Sequence, residues 1–242
     1  MKWFQNWFNS PYYHILYHQR NDAEAEFFMD NLCTYLEPTL ENRLLDIACG
    51  KGRHAIYLNK KGYDVIGIDI SAASIHAAKA FENKKLQFFI HDMRKPFYVN
   101  YFQYAFNLFT SFGYFDTEKD HVKALTSFAA ALQPNGILVI DYFNAIKIKA
   151  CLTHQEQKHI DGITFNIYKK IEDHKIVKSI RFEHQEKSFA FKEEVQDFDL
   201  TDFERILKLA HFSIERVFGG YDLQPFVEKE SDRLVMICRK IA

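Results

Sequence analysis

Four aspartates each stand at or near the end of a short apolar run: Asp46 in "LLDIACG", Asp69 in "VIGID", Asp92 in "LQFFIHD" and Asp141 in "ILVIDYF". Between the first two lies "GKGRHA", in which Gly50 and Gly52 are one residue apart and Ala55 fills the third place of G-x-G-x-x-G/A. Paired glycines after a strand let a bound molecule approach the backbone, and a carboxylate about twenty residues further on suits a ribose. Nicotinamide dinucleotides, flavin dinucleotides and other nucleosides all fit that description, so the sign of charge has to separate them. A dinucleotide rests its pyrophosphate on the turn and the helix start. Asp46, four residues before Gly50, would place a like charge beside it, at a cost on the order of kcal/mol. S-adenosylmethionine has no phosphate and carries an ammonium and a sulfonium, so the same carboxylate attracts it. Its own carboxylate suits the amides at the helix start near Arg53 and His54. Lys51 and Arg53 argue mildly the other way, and their long side chains are read as directed to solvent.

A scaffold must bring these aspartates to one rim. "RLLDIA", "DVIGID", "LQFFIHD", "YAFNLFT" and "ILVIDYF" read as strands, alternating with the helical "RHAIYLNKKG", "SAASIHAAKAFE" and "TEKDHVKALTSFAAAL"; a "QPNG" turn precedes the fifth strand. Short, nearly continuous apolar strands alternating with helices describe a parallel sheet covered on both faces. Ligands in such sheets bind beyond the carboxyl ends of the strands, where strand order reverses. Ahead of this unit, from about Ser10 to Pro38, the pattern predicts two short helices with Asn21 as a candidate cap. After Asn144 the pattern turns β-like: "GITFNIYKKI", "HKIVKSIRFEH" and "KSFAFKEEVQDF" alternate apolar and charged residues, with "EDHK" and "HQEK" as hairpin turns. "TDFERILKLAHF" returns to the helical period with Thr201 and Glu204 as a capping box. "SIERVFGGY" and "RLVMICRK" supply two closing strands. The expected division is a helical lid over 1–40, a ligand-binding α/β domain over 41–146 and 197–242, and an inserted antiparallel β lid, or alternatively a dimerisation surface, over 147–196.

Composition narrows the partners. A net charge of −1 over 242 residues supplies no field for nucleic acid or anionic membrane. No apolar run reaches the roughly 18 residues of a membrane span, and "MKWFQNWFNS" does not read as a secretory signal. Cys33, Cys49, Cys151 and Cys238 are scattered, without metal-ligand spacing; they read as reduced thiols of a cytoplasmic protein. His14 and His18 flank "ILY" without the glutamate of a zinc-protease helix, so no metal site is expected there.

"LLDIACGKGRHAIYL" resembles the first motif of class I S-adenosylmethionine-dependent methyltransferases, in the form D-x-A-C-G-x-G-R-H. "VIGIDIS", "IHDMRK", "AFNLFTSFGYF" and "LQPNGILVIDYF" resemble the later motifs, so the likeness runs from about Leu44 to Asn144 and resumes in the last forty residues. It implies a Rossmann-like, mostly parallel seven-stranded sheet whose last strand is antiparallel, with helices on both faces. It implies a cofactor site in which Ala48, Gly50, Gly52 and Arg53 belong to the turn under the methionine moiety and Asp46 faces its ammonium. Asp69 would accept both ribose hydroxyls, Ile70 would pack on adenine, Asp92 would take the adenine amino group and Met93 would cover the ring's other side. Phe109 would close the pocket near the methyl group.

Methyl transfer from a sulfonium is an in-line displacement that depends mainly on position. Where the acceptor must lose a proton, His121, Tyr114 and Tyr142 are the candidates. "NLFTSFGY" stands where family members that methylate nucleobase amino groups carry N-P-P-Y or a relative, which argues for a different acceptor. The expectation is a small molecule between "SPYYHILYHQR", "SFGYFD" and the insertion, near Tyr13 and Tyr17, with Arg20 suited to a carboxylate. No nucleic acid, membrane or metal is expected, and the chain is expected to be a monomer or homodimer. A non-catalytic S-adenosylmethionine binder and a nicotinamide-dependent oxidoreductase remain as alternatives.

Overall fold

The computed structural model describes residues 3–17 and 22–241. The Asn21 cap, the Arg20 contact and the His14–His18 side-chain pair fall outside the described residues. Three helices come first: α1 (Trp3–Phe8), then α2 (Pro11–Leu16) and α3 (Asp22–Leu36), the two expected between Ser10 and Pro38. α2 starts at Ser10, whose hydroxyl accepts from the Tyr12 N–H, with Pro11 at the first helical position.

Strands and helices then alternate as β1 (Arg43–Ile47), α4 (Arg53–Lys60), β2 (Asp64–Asp69), α5 (Ala72–Ala78), β3 (Leu86–Ile90), β4 (Phe102–Asn107), α6 (Glu118–Ala131) and β5 (Leu132–Phe143). The "QPNG" segment is no separate turn. It lies within the start of β5, with Asn135 at φ 63°, where the register against β4 shifts between Phe102 and Tyr104. After α7 (Ala145–Ala150) come β6 (Gln155–Ile160), β7 (Ile163–Glu172), β8 (Lys175–His184) and β9 (Lys187–Gln196), then α8 (Leu200–Leu209), β10 (Phe212–Phe218) and β11 (Arg233–Lys240). The capping box of α8 is two residues earlier than expected: Asp199 accepts from Asp202 N–H and Asp202 answers to the cap's own N–H.

Seven strands form one sheet in the order β10-β11-β5-β4-β1-β2-β3. β11 runs antiparallel to β5 and β10, and the other neighbouring pairs are parallel. Strand order reverses between β1 and β4, which opens a crevice at their carboxyl ends. Phe28, Met29 and Leu32 of α3 join α4 and α5 in the core on one face. Leu125 and Phe128 of α6 and Phe203 and Ile206 of α8 fill the core on the other.

The second sheet is antiparallel in the order β6-β7-β8-β9. Its turns at Asp161-Gly162, Asp173-His174 and Gln185-Glu186 place both central residues at positive φ, the twist that two-residue hairpins prefer. α1 and α2 lie on this sheet: Trp7 and Leu16 share a buried cluster with Phe165, Ile167, Ile180 and Phe182. Glu193 fastens them, accepting from Trp7 Nε1 at 2.6 Å and from the Tyr17 hydroxyl at 2.7 Å, with Lys178 Nζ 3.6 Å away. The first helices and a strand made some 180 residues later therefore form one body. Among the described residues no helix is long and apolar enough to cross a membrane.

Candidate active site

The chain must turn sharply to leave β1, and residues 48–52 show how. Ala48, Gly50 and Gly52 all have positive φ, at 59°, 57° and 83°, and the Gly52 N–H closes the turn on the Cys49 carbonyl at 2.9 Å. The two glycines serve different ends. A Cβ on Gly50 would meet nothing within 4 Å, whereas one on Gly52 would stand 2.6 Å from the Phe88 ring. Gly50 lines a cavity of about 390 Å³ at the carboxyl ends of the strands; Gly52 lies behind it, in the packing between turn and sheet.

Asp46, Ala48, Gly50, Arg53, Asp69, Ile70, Asp92, Met93 and Phe109 all line that cavity. Asp46 is 2% exposed and its Oδ2 has no hydrogen-bond partner. Burial pushes its carboxyl up to about 7, with the Ala55 N–H and the Arg53 charge acting in the opposite direction. Among the described residues only Asp46 Oδ2, His54 Nε2 and Asn107 Oδ1 are buried side-chain polar atoms without a partner, and the first two belong to cavity-lining residues. Buried polar atoms are ordinarily paired, and both of these belong to the side of the cavity nearest the glycine turn. His54 is held neutral, pushed down to about 3 by burial and by the neighbouring Arg53.

Asp69 is fixed by the backbone around it: Gly50 N–H donates to Oδ2 at 2.9 Å and Ser71 N–H to Oδ1 at 2.7 Å. Each oxygen keeps a lone pair for a further donor. Asp92 is more occupied. Arg94 reaches it through Nε at 3.0 Å and Nη2 at 2.6 Å. Burial works against the Asp92 charge, yet this fork outweighs it and holds the carboxyl below its usual range. Arg53 departs from the sequence reading: its guanidinium lies 4.1 Å over the Phe109 ring rather than out in solvent. Phe109 also faces His54, with ring centres 5.1 Å apart.

Tyr13, Tyr17, Phe8 and Tyr114 line the cavity as well. Asn9 accepts from the Ser71 hydroxyl at 2.7 Å, tying the N-terminal segment to the helix start after β2. Of the three acid–base candidates only Tyr114 belongs to the cavity wall. His121 is buried against Phe112, Phe115 and Phe198 and accepts from the Phe115 N–H. Burial pushes it down to about 4. Tyr142 is fully buried and donates to the Gln196 carbonyl at 2.6 Å. Both are structural. Asp141, grouped by sequence with the rim acids, is buried and paired with Arg233 at 2.8 Å, outside the cavity lining. Sequence reasoning assigned no role to the His54 side chain or Ser71, although His54 was visible in the "GRH" of the turn.

A doubly wound sheet with a glycine turn, a buried acid before it and a second acid fixed at the end of β2 defines a Rossmann-like nucleoside-binding domain. The family model described as "Methyltransferase domain" matches residues 40–210, and the chain belongs to the class I S-adenosylmethionine-dependent methyltransferases. S-adenosylmethionine is the cofactor. YqeM of Bacillus subtilis (strain 168) is 26% identical over 217 residues, covering 83% of this chain and 87% of that protein. A glycine/sarcosine N-methyltransferase of Aphanothece halophytica is 34% identical over 139 residues, covering 54% of this chain and 49% of that enzyme; the chain thus matches about half the length of that relative. The fold is that of an S-adenosylmethionine-dependent methyltransferase from Clostridium acetobutylicum ATCC 824, with TM-score 0.80, 19% identity, and 96% of each chain covered.

Proposed function

We propose that the chain transfers the methyl group of S-adenosylmethionine to a neutral or basic small molecule in the cytoplasm. The observation that carries this is the buried Asp46 carboxyl, which lines the glycine turn's cavity and keeps one oxygen without a hydrogen-bond partner. When bound, S-adenosylmethionine supplies a methyl carbon on a sulfonium, ready for in-line attack. Asp46 would accept from its ammonium, Asp69 from the ribose hydroxyls, and the amides at the start of α4 would hold its carboxylate. Ile70 and Met93 would flank the adenine, and Phe109 would set the wall near the methyl group. Gly52 would act through the turn rather than by touching the ligand.

For the acceptor, the cavity offers the rings of Phe8, Tyr13, Tyr17 and Tyr114. Its lining aspartates (22, 46, 69 and 92) outnumber its lysine and arginine (51 and 53), which disfavours an anionic acceptor. The likeness to an enzyme named for N-methylation of glycine and sarcosine supports a nitrogen nucleophile. The joint body of α1, α2 and the second sheet covers this end and would exclude water from the transfer. Four free cysteines agree with a reducing compartment.

Calorimetry with S-adenosylmethionine and NADH side by side tests the cofactor half; binding of NADH alone would refute it. Asp69→Ala is expected to weaken S-adenosylmethionine by about 1.5–3 kcal/mol, the scale of hydrogen bonds to a charged group. A panel of amines scored by S-adenosylhomocysteine release tests the acceptor half, and a binder without activity would give no product with any of them.

A further inference from the structure

Phe109 and Thr110 are consecutive non-glycine residues with left-handed backbone, at φ 55° and 58°, and both line the cavity. Such a conformation persists only where the surroundings over-determine it. Here the surroundings come from two distant strands. Asp141, at the end of β5, accepts the Phe109 N–H on Oδ2 at 2.7 Å and the Thr110 N–H on its main-chain carbonyl at 3.0 Å. Arg233, the first residue of β11, donates from Nε to Asp141 Oδ1 at 2.8 Å and from Nη2 to Thr110 Oγ1 at 3.0 Å. The Tyr221 ring lies 5.4 Å from that guanidinium and 5.0 Å from the Phe109 ring, closing the rear of the arrangement.

We infer that Arg233 and Asp141 are positioning residues that hold Phe109 and Thr110 in place as the wall at the sulfonium end of the cofactor site. This rests on the cofactor reading above. Arg233 does not line the cavity, and its two arms divide between the carboxylate that grips the Phe109 amide and the hydroxyl of the next residue. A planar fork makes both contacts from one side chain, which an ammonium cannot do in that geometry. His54 adjoins this wall, its ring centre 5.1 Å from that of Phe109, and Asp46 stands on β1, the neighbour of β4, whereas Ile70, Asp92 and Met93 follow β2 and β3, the strands further out in the sheet. Loss of the clamp therefore acts on the methionine half of the ligand and spares the nucleoside half.

The test measures affinity for S-adenosylmethionine and for adenosine in wild type, Arg233→Gln, Thr110→Val and Thr110→Ser, together with thermal unfolding. Arg233→Gln is expected to weaken S-adenosylmethionine tenfold or more and adenosine less than twofold. Thr110→Val leaves the buried ion pair intact, and is expected to weaken S-adenosylmethionine about threefold; Thr110→Ser, which keeps the hydroxyl, restores it. Equal losses on both ligands, or unchanged S-adenosylmethionine affinity in a folded Arg233→Gln or Thr110→Val protein, would overturn the clamp. If Arg233→Gln does not fold, the Thr110 pair decides. A wild type that binds neither ligand refutes the cofactor reading instead, and the clamp with it.

Discussion

At pH 8 the Asp46→Asn protein is expected to melt above wild type in the absence of ligand, and to bind S-adenosylmethionine at least a hundredfold more weakly. The two effects share one cause. Burial holds the Asp46 carboxyl near 7 in the folded chain, against about 3.9 when unfolded. Below about pH 4 it is protonated in both states and contributes nothing to the balance. As pH rises from there to about 7, the unfolded chain ionises it first, so the folded state loses stability through this interval and the deficit stays constant above it. Asparagine removes that deficit, roughly 2–4 kcal/mol at pH 8, or about 5–15 °C at the sensitivity of a chain this size. In the proposed complex the bound ammonium would compensate this charge in the wild type. Its removal leaves a buried cation unpaired, a loss of about 3–5 kcal/mol. Wild-type affinity should rise about tenfold per pH unit up to about 7, then decline above about 8 as the ligand's α-amino group loses its proton. The rising limb should vanish in Asp46→Asn. Equal melting temperatures and parallel pH profiles would show that Asp46 neither strains the empty fold nor meets the ligand.

The second large effect separates the two glycines of the turn. Gly52→Ala places a methyl 2.6 Å from the Phe88 ring at φ 83°, and Phe88 is fully buried. Left-handed backbone in a residue with a Cβ costs about 1–2 kcal/mol, and overpacking adds about 1–3, so the melting temperature is expected to fall by roughly 4–20 °C. Gly50→Ala incurs the backbone part alone, because its Cβ meets nothing within 4 Å. Its methyl enters the space read as the ligand's, so it should reduce S-adenosylmethionine affinity more than stability. Comparable stability losses in both, measured by thermal unfolding, would remove the distinction.

Much of this architecture was legible from local pattern. The parallel strands read as nearly continuous apolar runs, and their alternation with helices predicted a parallel sheet covered on both faces. "EDHK" and "HQEK" named their hairpins. β6 escaped because "QEQKHI" is polar on both faces except at Ile160; its pairing with β7 comes from backbone bonds that leave no periodic trace. The α8 cap was misplaced because Thr201 and Glu204 match the capping pattern as well as Asp199 and Asp202 do, and the choice depends on the chain's exit from β9. His121 and Tyr142 carry chemistry-bearing groups, but burial is decided by neighbours far along the chain. Asp141 looked like its three counterparts at strand ends, and only the antiparallel arrival of β11 brings Arg233 to claim it. The residues read as holding the cofactor, Phe109 among them, come from segments close in sequence, and their meeting at one cavity was legible; the supports of the Phe109–Thr110 wall come from contacts 92 and 123 residues apart, and they were not.

The union of the first two helices with the late sheet has a consequence for biosynthesis. Trp7, fully buried when docked, packs with residues from Ile160 onward and bonds to Glu193 across 186 residues, so a nascent chain that has not reached the second sheet leaves it without these partners. Contacts of such separation form slowly, and apolar surface left waiting is prone to association. The nascent polypeptide thus carries an uncovered aromatic head through most of its elongation, and docking that head is expected to be among the last events of maturation, after the seven-stranded core has set.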